Sequence, residues 1–173
     1  MANPIRPSIR THADEPGAEG EVRPADFREA AAFWATGVAV LAAADGDDVE
    51  AITLTAFSPL SADPPLVMAC VGNDAAVLYV IEAVGRFTVS LLAKGDRRAA
   101  SGFAQRLQPE PGRFAPGVDP VLRDALVSFV CTLHETHAGG DHRIVVGWVE
   151  RIVMGDGDPD PLLYFRREYR ALE

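Results

Sequence analysis

The sequence predicts a mainly β (α+β) domain, an antiparallel barrel that is closed or nearly closed, with about three helices at its connections. Apolar runs of strand length recur through the chain, separated by clusters of Gly, Pro, Asp and Asn. Between two of them, Asp45-Gly46 is a hairpin signal, so sequence neighbours pair antiparallel. Helical periodicity is confined to a few short stretches and does not give the strand-helix alternation of a parallel doubly wound sheet.

Residues 1–22 are rich in Pro, Gly and acidic side chains and have no apolar period, which predicts a flexible arm ahead of a folded domain over 23–173. Pro24 and Asp26 are helix-start residues, and Phe27, Ala30, Ala31 and Trp34 then form one apolar stripe suited to a flat partner. Gly37 to Leu41 reads as a buried strand, Ala51 to Thr55 as its hairpin partner and Leu66 to Val71 as a third strand after the break at Asp63-Pro64-Pro65. Asn73-Asp74 is read as the cap of a helix from Ala75 to about Ala83, with Val77, Leu78 and Ile81 inward and Gly85 as its stop. A fourth strand runs from Arg86 to Leu92, and a third helix from Asp96 through Gln105. A long Pro/Gly-dense loop covers Pro109 to Pro120. Ala125 to Leu133 and Arg143 to Val153 are read as two long strands joined by a His-rich connection. Phe129, Cys131 and Leu133 share a face, and a last strand over Pro161 to Phe165 precedes a charged tail.

Composition excludes several classes. The 173 residues carry 16 Lys+Arg against 25 Asp+Glu, a formal charge of −9, and no basic run exceeds two residues, which argues against neutralising nucleic-acid phosphates. No stretch nears the roughly 18 apolar residues of a membrane span, and prolines and acids occupy the N-terminus where a signal peptide would be apolar, so the expectation is cytoplasmic. Cys70 and Cys131 sit in separate apolar runs and read as buried thiols. His134 and His137 imply no third metal ligand, and Asp156, Asp158 and Asp160 read as a turn because Pro161 stands where a calcium loop needs Gly. Nucleophile elbows, P-loops and dinucleotide fingerprints are absent from the sequence.

Three runs carry the reading further: Phe27 to Val38, with Thr36-Gly37 at its end; Thr53 to Leu66, containing Thr53-Leu54-Thr55-Ala56 and Ser61; and Gly140-Asp141-His142 continuing to Gly147. In this order they resemble the short-chain flavin reductases of two-component monooxygenases, and the tail from Pro161 to Tyr169 fits the same pattern over about residues 25–172. The resemblance implies an antiparallel Greek-key split β-barrel that binds flavin, works as a homodimer and passes hydride from NADH or NADPH to FMN or FAD for a partner monooxygenase. It places Thr36, Thr53, Leu54, Thr55, Ala56, Ser61, Cys70, Val71, Gly72, Ala75 and Phe103 at the flavin. His142 falls at the nicotinamide as the catalytic residue, with Tyr169 in the same cleft and no metal. Thr and Ser beside Gly suit a flat ring, supplying polar groups without bulk.

Ala75-Ala76-Val77 departs from the pattern, for relatives often carry Ser, Thr or Lys there to hold the flavin phosphate. The cations left for that task are Arg86, Arg97, Arg98, Arg166 and Arg167, helped by helix N-terminal amides near Asp74 to Ala76. Arg143 either adds a dinucleotide contact or faces water. Two other readings stay open at this level: a reductase of an organic substrate with tightly held FMN, and a non-catalytic flavin- or haem-type binding barrel.

Overall fold

A computed structural model describes residues 22–105, 112–156 and 160–172. The chain divides into two units, Met1–Trp34 and Ala35–Glu173. In the first, α1 (Pro24–Ala31) starts as its sequence predicts: Pro24 fits the first turn, where no amide partner is required, and Asp26 receives Arg23 at 2.6 Å. The helix buries none of its residues, and Phe27 is exposed. The predicted arm falls mostly outside the described residues.

The second unit is predominantly antiparallel β. Strands β1 (Thr36–Gly37), β2 (Ala39–Asp45), β3 (Asp48–Leu54), β4 (Phe57–Ala62), β5 (Pro65–Gly72), β6 (Arg86–Leu91), β7 (Val127–Gly139) and β8 (His142–Met154) are followed by β9 (Leu163–Phe165) and β10 (Glu168–Arg170). Seven of them form one sheet in the order β3-β2-β6-β7-β8-β5-β4, and β1-β9-β10 form a small second sheet. Helix α2 (Ala76–Val84) joins β5 to β6, and α3 (Arg97–Ala104) follows β6 after a 3-10 turn at Lys94–Asp96. No helix among the described residues is long and apolar enough to cross a membrane.

Alternation along the strands sends side chains into two cores. Leu41, Val71, Ile81, Phe87, Val89, Cys131 and Val145 lie in one, with Phe129 and Leu133 packed against it as their shared face predicts. Val38, Val40, Leu92, Phe103 and Leu162 lie in the other, against Tyr164 and Tyr169. Cys131 is buried and Cys70 half-buried, both as free thiols.

Several boundaries differ from the sequence reading. Phe57–Ala62 is a strand of its own: Pro59 lacks an amide for the ladder, yet β4 lies at the sheet edge and carries a bulge beside that residue. The His-rich segment is strand too, since β7 and β8 pair out to Gly139 and His142 and leave only Gly140-Asp141 as the turn. The N-cap of α2 is Ala75, without a side-chain bond, and the Asn73 side chain turns to the Gly140 carbonyl instead, although Gly85 ends the helix in the left-handed region at φ 71° as expected. The charged tail holds β10, entered through Arg166 and Arg167 at φ 51° and 65°, the left-handed pair of a tight hairpin turn.

Candidate functional site

A cleft of about 540 Å3 opens where four segments meet. β3 contributes Ile52 and Thr53. The end of β5 and the approach to α2 contribute Gly72, Asn73, Asp74 and Ala75. The last turn of α3 brings Phe103 and Ala104, and the β7–β8 turn brings Asp141 and His142. Ile52, Ala75, Phe103 and Ala104 form apolar walls, with polar groups along the rim, the lining expected for a planar ligand with one polar edge. The volume falls in the ordinary range for small-molecule sites, roughly 300–1,000 Å3.

Each wall has a visible cause. Thr53 Oγ1 donates to the Ala100 carbonyl at 2.7 Å, fastening α3 to β3. Its one proton is thereby committed, so toward the cleft Thr53 is an acceptor. Phe103 is buried at its base and rests on Phe114, with ring centroids 6.0 Å apart. Arg113 reaches Asp96 at 2.8 Å and so ties the segment after residue 112 to the start of α3. At the opposite wall, His142 pairs with Gly72 in the β5–β8 ladder. His142 Nδ1 lies 2.7 Å from Asp141 Oδ1, and because a carboxylate only accepts, Nδ1 carries the proton. Neutral His142 therefore has Nε2 as an acceptor, suited to an N–H donor such as a carboxamide.

Of the residues expected at the flavin and nicotinamide, Thr53, Gly72, Ala75, Phe103 and His142 come together in this cleft. Leu54 and Val71 point into the core, alternating with cleft-lining Thr53 and Gly72. Thr55 and Ala56 form the turn after β3, where the Ala56 carbonyl receives the Cys70 amide at 2.9 Å. Ser61 lies on edge strand β4. Thr36 sits on β1 opposite Tyr164, with a buried hydroxyl that has no partner among the described residues. Tyr169 packs on Tyr164, centroids 5.5 Å apart, in the second core.

Among the cations proposed for a phosphate, Arg86 is already held by Glu150 at 2.9 Å and Asp119 at 3.2 Å. Arg143 lies 3.8 Å from Glu82. The sequence reading did not assign Ile52, Asn73 or Ala104 to the site. Ile52 and Ala104 are plain apolar residues without a motif, and Asn73 carried the misleading signature of a helix cap.

A family model described as a flavin reductase like domain matches residues 32–173. The reductase component of 4-hydroxyphenylacetate 3-monooxygenase from Thermus thermophilus is 44% identical over 150 residues, covering 84% of this chain and 95% of that protein. An NADH-dependent flavin reductase from a Rhodococcus species is 36% identical over 160 residues, covering 88% and 89%. The solved structure of flavin reductase PheA2 in its native state superposes with a TM-score of 0.81 at 30% identity, over 88% of this chain and 99% of that one.

Proposed function

The chain belongs to the flavin reductase-like family, and from that membership we propose that it is an NADH-dependent flavin reductase supplying reduced FMN or FAD to a partner monooxygenase. The observation that carries this reading is the meeting of Thr53, Gly72, Ala75, Phe103 and His142 in one cleft, drawn from segments far apart in sequence. When bound, the nicotinamide and the flavin supply the redox chemistry, a hydride transfer between their rings. The protein's contribution is alignment and the exclusion of water.

Gly72 brings strand-end backbone to the cleft, with the Asp74 carboxylate 3.2 Å from where a Cβ would stand, and Phe103 with Ile52 offers apolar surface to a ring. Thr53 accepts at the ring edge, while Asp141 holds the His142 ring with Nε2 free to orient a carboxamide. The N-cap of α2, Ala75, makes no side-chain bond, and the N-terminal backbone amides of the helix suit an anionic group, partly offsetting the missing hydroxyls at Ala75-Ala76-Val77. Weak phosphate anchoring fits a flavin used as a substrate and released.

A homodimer belongs to the same proposal. Leu60 on β4 and Trp148, Ile152 and Met154 on β8 are exposed apolar side chains, and β3 and β4 are sheet edges, features that a second copy would cover. Sedimentation of dilute protein tests it: a dimer is expected, and a monomer binding flavin stoichiometrically refutes it.

The activity is tested by following NADH oxidation with and without added free flavin, on protein whose colour after purification has been recorded. Oxidation that depends on free flavin is expected. Tight yellow colour with turnover of another acceptor, or no oxidation at all, overturns the proposal.

A further inference from the structure

The end of the β7–β8 hairpin stands in an unusual mechanical position. It carries His142 to the cleft, yet Gly139, Gly140, Asp141, His142 and Arg143 are all exposed, so no buried side chain at the tip fixes where the turn sits. Hydrogen bonds must do so instead, and Asn73 supplies two of them. Its backbone amide donates to the Asp141 carbonyl at 3.1 Å, extending the β5–β8 ladder one step beyond the Gly72–His142 pair. Its side-chain Nδ2 donates to the Gly140 carbonyl, also at 3.1 Å, across 67 residues of sequence.

The backbone bond survives any substitution except proline. The side-chain bond depends on this residue being Asn. It lands on Gly140, the residue that turns the hairpin with φ +72°. Asn73 is itself steadied, since the Tyr79 hydroxyl approaches its carbonyl at 3.5 Å. An Asn at a strand-to-helix junction ordinarily caps the helix, but here the N-cap is Ala75, which has no side-chain bond. The Asn73 side chain is spent on the hairpin.

We propose that the Asn73 carboxamide is a positioning residue for the nicotinamide half of the site: by holding the Gly140-Asp141 turn it sets the placement of His142 over the cleft. This rests on the reductase reading. Asn73 spans the seam between the strand end that lies along the flavin and the hairpin that meets the dinucleotide, and its side-chain bond acts on the hairpin side alone.

The test uses the full chain with Asn73→Ala, Asn73→Asp, His142→Ala and the Asn73→Ala/His142→Ala double variant, with NADH and free flavin each varied in turn. Losing one neutral hydrogen bond that acts through His142 is expected to lower kcat/KM for NADH roughly threefold to tenfold, with the flavin KM held within about twofold. Asn73→Asp keeps the shape but faces the Gly140 carbonyl with an acceptor, so its loss is expected to be at least as large. In the His142→Ala background, Asn73→Ala is expected to add nothing, because its effect passes through the missing ring.

Equal losses toward flavin and NADH, or an additive loss in the double variant, overturn the proposal and make Asn73 merely structural. Imidazole nitrogen NMR, assigned with His142→Ala, gives a readout that does not need turnover. Asn73→Ala is expected to shift the His142 signals and leave those of His134 and His137 in place. If the parent protein does not oxidise NADH with free flavin, the reductase reading fails, and the spectrum alone decides the positioning role. Unchanged His142 signals then refute it, and shifted ones sustain it.

Discussion

Thr53 and Ala100 are joined by a 2.7 Å hydrogen bond from the threonine hydroxyl to the helix carbonyl, and this bond fastens the α3 side of the cleft to β3. A threonine on a strand is usually a β-former with its hydroxyl in water. Here the hydroxyl is part-buried and reaches 47 positions along the chain. Thr53→Val keeps the shape and leaves the Ala100 carbonyl without that donor, a change worth about 1 kcal/mol. The expected result is a melting temperature lower by roughly 2–4 °C and flavin affinity weakened several-fold in a fluorescence titration. Thr53→Ser is expected to retain most of both. Thr55 lies outside the cleft, so Thr55→Val should change flavin affinity less, and an equal effect would mean that the flavin extends along the β3–β4 turn.

Gly147 gives a sharper structural prediction. A Cβ at this position would collide with Phe87 Cζ and sit 2.9 Å from Cys131 Cβ, both in the core under β8. Neither can retreat, since Phe87 is 2% exposed and Cys131 is fully enclosed. Gly147→Ala therefore overpacks the core, with an expected cost of about 1–3 kcal/mol. Gly95 has nothing within 4 Å of an added Cβ and an ordinary φ, so Gly95→Ala serves as the neutral control. Chemical denaturation of the two variants checks the contrast, and similar midpoints would show that β8 yields to accommodate the methyl.

The hairpin at Asp45-Gly46, the strand β6 and the inward face of α2 were legible because each has a strong local signal: a turn dipeptide, an apolar run or a helical period. β4 was not, because Pro59 argues against a strand unless its position at a sheet edge is already known. β10 was hidden for a related reason. Arg166-Arg167 makes a turn that Asn-Gly would have announced, and only pairing with β9 holds two arginines at positive φ. The site divides in the same way. Gly140-Asp141-His142 pointed to His142, which the fold brings to the cleft, whereas Asn73 read as a cap and Leu54 was placed by resemblance alone. Strand alternation turns Leu54 into the core, and a hairpin 67 residues away claims Asn73.

Cys131 makes the stability of the fold depend on alkaline pH. Burial, reinforced by the negative charge of Glu150 and opposed by Arg86, pushes its thiol up from 9.0 to about 12. The folded state thus favours the protonated thiol, while the unfolded chain releases the proton near its ordinary value. The stabilisation is complete below about pH 9 and is lost as pH rises toward 12. The expected observation is a denaturation midpoint that falls with pH across that window, less steeply in Cys131→Ala. Thiol titration offers a second check: in the native protein at neutral pH, half-buried Cys70 is expected to react first and Cys131 only on unfolding. Equal labelling of both would show that the core around Cys131 opens readily.

The arm is predicted to be dispensable. Residues 2–22 contain no apolar period with which to join a core, and the family match begins at residue 32. Deleting them is expected to leave melting temperature and flavin-dependent NADH oxidation within error of the full chain. A marked loss of either would assign the arm to the fold or to the dimer.

His142 carries the most specific functional prediction. In the neutral ring, Nδ1–H donates to Asp141 Oδ1 at 2.7 Å, and Nε2 is then the acceptor that a cleft ligand can meet. A hydrogen bond from the nicotinamide carboxamide to that nitrogen would be worth about 1–3 kcal/mol, so His142→Ala is expected to lower kcat/KM for NADH roughly tenfold to a hundredfold. Flavin affinity should change little, because Thr53, Gly72 and Phe103 line the cleft from other elements. His142→Gln retains a side chain able to accept and should recover part of the loss, whereas His142→Phe keeps the ring shape without the acceptor and should not. Steady-state kinetics with each substrate varied in turn separates these outcomes. Wild-type behaviour of His142→Ala toward NADH would place the nicotinamide elsewhere in the cleft and leave His142 as a hairpin residue paired with Asp141.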